Sequence, residues 1–216
     1  MRLSRFETRF GISSWDQATE AWTWAEASPA LTEAAYAAEL VRLASVPNEL
    51  KSGLSDSELA ANDVDFCTRV MLLIDGVPLI DLIREVERPF AERDYDARVA
   101  GGESAEFLGR RGRLAGNYMY LRPSDAFLPS QNLLGAFYYH DFELKPDDRR
   151  YDNSLLLVCS CGNTTCGDLL AKITVGDDVV TWSDFRHSER RWNYDAFGPF
   201  VFDRGQYEAQ LIAPGE

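Results

Sequence analysis

The most regular alternation of apolar and polar positions lies in the last third of the chain. LLLVCSC, DLLAKITV and VVTWSDF read as three successive strands joined by short turns, PFVFD as a fourth short strand, and DRGQYEAQLIA as a closing helix. Side chains point to alternate faces along a strand, so Leu155, Leu157, Cys159 and Cys161 share one face. Leu169, Ala171, Ile173 and Val175 share a face of the next strand. Asp203 and Gln206 have the spacing of a capping box, with Tyr207 and Leu211 on one face of the helix that follows. These elements predict an antiparallel meander with a helix packed against it.

Upstream, RVMLLIDGVPLI places Asp75-Gly76 between two apolar runs, and both residues tolerate the positive φ of a type I′ hairpin turn. Pro78 lacks an amide donor, which makes the second arm short or an edge strand. Leu79, Leu82, Ile83, Val86 and Phe90 then follow helical spacing, so a helix is expected from near Ile80, with Arg84, Glu85, Glu87 and Arg88 on its solvated face. Residues 1–65 are rich in Ala, Glu and Trp. Ser28-Pro29 suits a helix start, and Leu31, Ala34, Ala35, Ala38 and Val41 continue it toward residue 45. Ser55 and Glu58 mark a second, shorter helix. Trp15, Trp22 and Trp24 are expected packing anchors. The reading is α+β: a mostly helical region at 1–65, then a core at 66–216 that carries the meander.

Residues 93–153 have little periodicity. RVAGGESAEFLGRRGRLAGN combines five glycines with Arg110, Arg111 and Arg113 but has no GxGxxG or Walker pattern. A flexible basic loop is expected there, and it is the best candidate in the chain for an anionic ligand.

The charge balance changes which functions are open. The chain has 22 Lys+Arg against 35 Asp+Glu, a net charge of −13. That average field repels a phosphate backbone and an anionic membrane surface, so neither nucleic acid nor membrane is an expected partner. A basic protein is the partner such a surface would favour. Hydrophobic residues at 45% supply a core, yet the most apolar run, VMLLIDGVPLIDLI, is cut by Asp75 and Asp81 and cannot span a bilayer. The start, MRLSRFETRFGISSW, has no uninterrupted apolar segment of the kind a signal peptide needs. The cytoplasm is therefore expected, and reduced thiols with it.

The distinctive chemistry is CSCGNTTCGD, residues 159–168. A hairpin that puts both apolar series on one face opposes Cys161 to Gly167 and leaves Cys166 in a five-residue loop. A slip by one residue would pair Cys161 with Cys166 but set Asp168 and Lys172 beside Leu157 and Leu155, which burial disfavours. Cys159, Cys161 and Cys166 would then form three ligands of a tetrahedral zinc site, completed by His187, Cys67 or His140. Reduced packing thiols and a redox or catalytic centre are the alternatives.

CSCGNTTC is similar to the zinc-binding tail that follows the SET domain in histone methyltransferases, where C-x-C-G-x-x-x-C supplies three ligands; no counterpart of the methyl-donor or catalytic motifs accompanies it. CSCGNTTCG, LLAKITV, VTWSDF and FGPFVFDRGQYEAQL, with LLIDGVPLIDLIREVERPFAE, also resemble a group of bacterial, largely actinobacterial, proteins of no established activity. That resemblance implies the unity of residues 66–213 and assigns no substrate.

Catalytic side chains are few. Only His140 and His187 could serve as a histidine base, and Asp141, adjacent to His140, would point to the opposite face of a strand. Three thiolates on one ion weaken its power to acidify water. Two functions follow from these readings: a non-enzymatic protein that binds another protein, of inhibitor or immunity type, with a structural zinc knuckle; or a zinc- or thiol-dependent enzyme centred on the CxCxxxxC hairpin.

Overall fold

The computed structural model describes residues 2–16, 21–26, 68–136, 148, 150–161 and 166–213. It is α+β, with two antiparallel sheets. The first contains β1 (Phe6–Asp16), β2 (Ala21–Glu26), β3 (Thr68–Ile74) and β4 (Val77–Pro78), in the order β2-β1-β3-β4. The second is a meander of β5 (Tyr118–Met119), β6 (Ser154–Cys159), β7 (Leu169–Val175), β8 (Val179–His187) and β9 (Phe200–Asp203), in sequence order. The helices are α1 (Leu79–Ala100), α2 (Ala105–Leu108), α3 (Pro123–Ala126) and α4 (Arg204–Ala209). No helix among the described residues is long and apolar enough to cross a membrane.

The β3–β4 hairpin forms as its sequence requires. Asp75 and Gly76 both have positive φ, 52° and 81°. The second arm is two residues long, lies at the sheet edge and passes directly into α1. Asp75 also accepts a hydrogen bond from the Arg5 amide at 2.7 Å, which ties the turn to the start of the chain. At the far end, the Asp203 carboxylate caps α4 by accepting from the Gln206 amide at 2.8 Å. The Gln206 side chain turns away from that cap and bonds the Phe6 backbone.

Residues 2–26 correct the expected helical region: where described they form β1 and β2. Phe6 is wholly buried and stacks on Tyr207 at 4.4 Å between centroids, with the Trp182 and Phe202 rings 5.3 and 5.6 Å away. β1 pairs with β3 from Phe6↔Ile74 to Ile12↔Thr68, and the Ser4 amide donates to the Val201 carbonyl of β9. The two sheets therefore share one core. Trp24 meets Tyr120 edge to face at 5.2 Å, as a packing anchor should. The helices expected near 29–45 and at Ser55, and the side chains of Trp15 and Trp22, lie outside the described residues.

The β6–β7 register matches neither expected alignment. Leu155 pairs with Leu170 and Leu157 with Leu169, with a bulge between them, and Cys161 lies beyond the end of β6. Every residue from Ser154 to Val158 is buried, and so is every one from Leu169 to Ala171. Strands buried on both faces show no alternation from which to read a register, and the bulge absorbs the extra residue.

A candidate metal centre and the polar core behind it

Three thiols meet where β6 gives way to its turn. The Sγ atoms of Cys159, Cys161 and Cys166 all lie within 4.8 Å of one another, and Cys161 Sγ is 3.3 Å from Cys159 Sγ. Thiolates about 2.3 Å from a tetrahedral zinc stand roughly 3.8 Å apart, so only small side-chain adjustments separate this trio from a ligand set. Cys159 is half-buried, whereas Cys161 and Cys166 are exposed. The base of the cluster is fixed by Asp168, itself fully buried, whose carboxylate accepts from the Cys159 amide at 2.9 Å. The Asp168 amide donates to Ser188 Oγ, and the Ser188 amide returns a bond to the Asp168 carbonyl, each at 2.9 Å. Burial pushes the Cys159 thiol up to about 12, and the hydrogen bond with Cys161 raises Cys166. An activated nucleophile needs the opposite direction.

His187, read from the sequence as a fourth ligand, lies under the same turn but has other partners. It is buried, its Nδ1 accepts from the amides of Glu189 and Arg190 at 3.0 and 2.9 Å, and its Nε2 lies 2.9 Å from Arg190 Nη1. The thiol cluster does not include it. The ring instead packs under the turn, where a Cβ on Gly167 would come within 3.0 Å of its Cε1. Cys67 and His140 lie outside the described residues.

Behind His187 is a polar core that the helical pattern misassigned. Glu87, expected on the solvated face of α1, has no exposed surface. Its carboxylate accepts from Tyr118 OH at 2.5 Å, Tyr194 OH at 2.6 Å and the Gly116 amide at 2.8 Å. Burial raises its pKa above the ordinary 4.5; the two phenols, the amide and the Arg190 charge counter only part of that. The same burial pushes both phenols well above the ordinary tyrosine value. Tyr118 links this network to the thiols, because β5 places it opposite Cys159 and its ring lies 6.1 Å from that of His187. The signal was present in the spacing: Ile83, Glu87 and Ala91 form one i, i+4 row on α1, and all three are buried. With both Glu87 oxygens engaged and all three side chains buried, the network braces α1 against the meander.

The basic loop is also ordered by its neighbours. Arg111 forks onto Asp96 at 2.8 and 2.7 Å and reaches Glu92 at 2.9 Å. Gly116 turns with φ +64° beneath Arg84, where a Cβ would lie 2.8 Å from that side chain. No family model matches the chain, and neither a curated protein nor a solved structure shows significant similarity to it.

Proposed function

We propose that Cys159, Cys161 and Cys166 hold a zinc ion that pins the β6–β7 turn, in a non-enzymatic cytoplasmic protein that acts by binding a basic protein partner. The observation that carries this reading is the convergence of three sulfurs within 4.8 Å at one end of a hairpin whose base is hydrogen-bonded through Asp168. Soft thiolate ligands select zinc over magnesium or calcium. Three thiolates also leave the ion a poor Lewis acid, which suits a staple better than a reaction centre. The Nδ1 of His187 is engaged by two backbone N–H groups, so the fourth ligand is sought at Cys67, His140 or solvent. The net charge of −13 supports the basic partner.

Elemental analysis of protein purified without chelator tests the metal. One zinc per chain is expected in the wild type, and a large loss in Cys161→Ser and Cys166→Ser; wild-type protein with far less than one zinc would reject it. A pull-down from the native cell, repeated over a salt series, tests the partner. Retention should weaken steeply with salt, and a salt-independent complex would remove the electrostatic basis for the reading.

A further inference from the structure

A second site lies away from the thiols, between the last turns of α1 and the loop after α2. It is a cavity of about 220 Å³, walled on its apolar side by Tyr95, Leu108 and Leu114, with Phe107 beside it. Phe107 is 78% exposed, the most exposed of the large apolar side chains described. The opposite wall is cationic: Arg98, Arg110 and Arg113 all line the space.

The arginines differ in how they are held. Arg98 is forked onto Glu103 at 2.8 and 2.6 Å, and Arg111, outside the cavity, is occupied by Asp96 and Glu92. The guanidinium groups of Arg110 and Arg113 form no ion pair with any described residue. Among the described residues, two arginines beside one cavity have no ion-pair partner, while three neighbouring carboxylates, Glu92, Asp96 and Glu103, are paired with others. The loop backbone brings Arg113 close in. Gly109 turns with φ +70°, and a Cβ there would lie 3.1 Å from Arg113 Nη1, so the guanidinium rests against bare backbone.

We propose that this cavity binds a small phosphomonoester, its phosphate on Arg110 and Arg113 and its apolar group between Tyr95, Phe107 and Leu114. A phosphomonoester carries about −1.5 to −2 charges at neutral pH, which matches two guanidiniums, and each guanidinium can fork onto two phosphate oxygens. The volume lies below the roughly 300 Å³ at which pockets for drug-sized ligands begin, so a single ring or short alkyl group fills the apolar part. A polynucleotide is disfavoured by the net charge, whereas a small dianion responds to the local field.

Calorimetric titration of the full chain with phenyl phosphate tests the proposal, with inorganic phosphate and phenol as the two halves of the ligand. One-to-one binding is expected, at least about tenfold tighter than for inorganic phosphate. Arg110→Gln and Arg113→Gln should each weaken it by about tenfold or more, as expected when a charged hydrogen-bonding partner is removed. Arg88→Gln, which changes the same charge at a residue outside the cavity, should leave it unaltered. Circular dichroism of each variant separates loss of binding from loss of fold, and both cavity arginines are exposed, so the fold should persist. Absence of binding at millimolar phenyl phosphate would overturn the site. So would affinity that survives the double arginine substitution in folded protein. Inorganic phosphate binding as tightly as the ester would overturn the role given to the apolar wall.

Discussion

Glu87 is the most informative place to perturb the fold, because its cost can be worked out group by group. Glu87→Ala removes the acceptor for three buried donors: the Tyr118 and Tyr194 hydroxyls and the Gly116 amide. Each buried donor left unpaired costs about 1–3 kcal/mol, so the loss of three partners should cost on the order of 3–9 kcal/mol. Glu87→Gln keeps one oxygen for the phenols but sets an amide nitrogen near the Gly116 N–H, a loss of about 1–2 kcal/mol. The two variants also separate packing from charge. Burial raises the Glu87 carboxyl above 4.5, so the native state keeps its proton to higher pH than the unfolded chain does. The stability this provides is complete below about pH 4.5 and is lost as pH rises toward the folded-state value, by at most about 1.4 kcal/mol per pH unit. Glutamine has no proton to lose. The cost of Glu87→Gln, measured by urea denaturation from acid to neutral pH, should therefore be largest in acid and shrink as pH rises above the ordinary carboxyl range. A wild-type-minus-variant difference that stays constant or grows over that range would refute the reasoning.

Other consequences can be measured with the same denaturation assay. Phe6→Ala empties a site enclosed by Trp182, Phe202 and Tyr207 and should cost about 3–5 kcal/mol; a loss below about 1 kcal/mol would mean that β1 is peripheral to the core. Gly76→Ala meets open space at φ +81°, so only the conformational penalty applies, about 1–2 kcal/mol. Gly135→Ala shares the positive φ, at +84°, but would place its Cβ 2.6 Å from the Ile173 carbonyl oxygen, and should cost at least twice as much; equal losses at the two glycines would contradict the register of that contact. Asp203→Ala removes the cap of α4 and should cost about 1 kcal/mol, with no loss expected from Asp195→Ala on the exposed loop.

The parts of this fold that were legible in the sequence are those where local chemistry leaves one solution. Asp75-Gly76 admits the left-handed backbone of a tight hairpin, Pro78 stops the ladder, and the β4 edge and the start of α1 follow. The meander was legible because turn residues punctuate it, and the capping of α4 because Asp203 precedes its helix. The register of β6 on β7 was not, because Leu155–Val158 and Leu169–Ala171 are apolar at consecutive positions. In the N-terminal strand the signal existed: Phe6, Thr8, Phe10 and Ile12 alternate with Glu7, Arg9 and Gly11, and the Ala- and Glu-rich composition downstream outweighed it. Of the site, the sequence showed the three thiols but not their depth, and it offered His187 beside Cys67 and His140 as a fourth ligand without showing that the amides of Glu189 and Arg190 engage its Nδ1. Glu87 was hidden by its type: a carboxylate inside an apolar row looks solvated until its partners, two tyrosines 31 and 107 residues away, are brought beside it.

X-ray absorption at the zinc edge of the purified chain tests the thiol staple most directly, since it counts the atoms that touch the ion. The account predicts at least three sulfur neighbours at about 2.3 Å in the wild type, and one fewer around the residual zinc that Cys166→Ser retains. A first shell made of nitrogen and oxygen alone, or a sulfur count that is indifferent to the loss of Cys166, would contradict it.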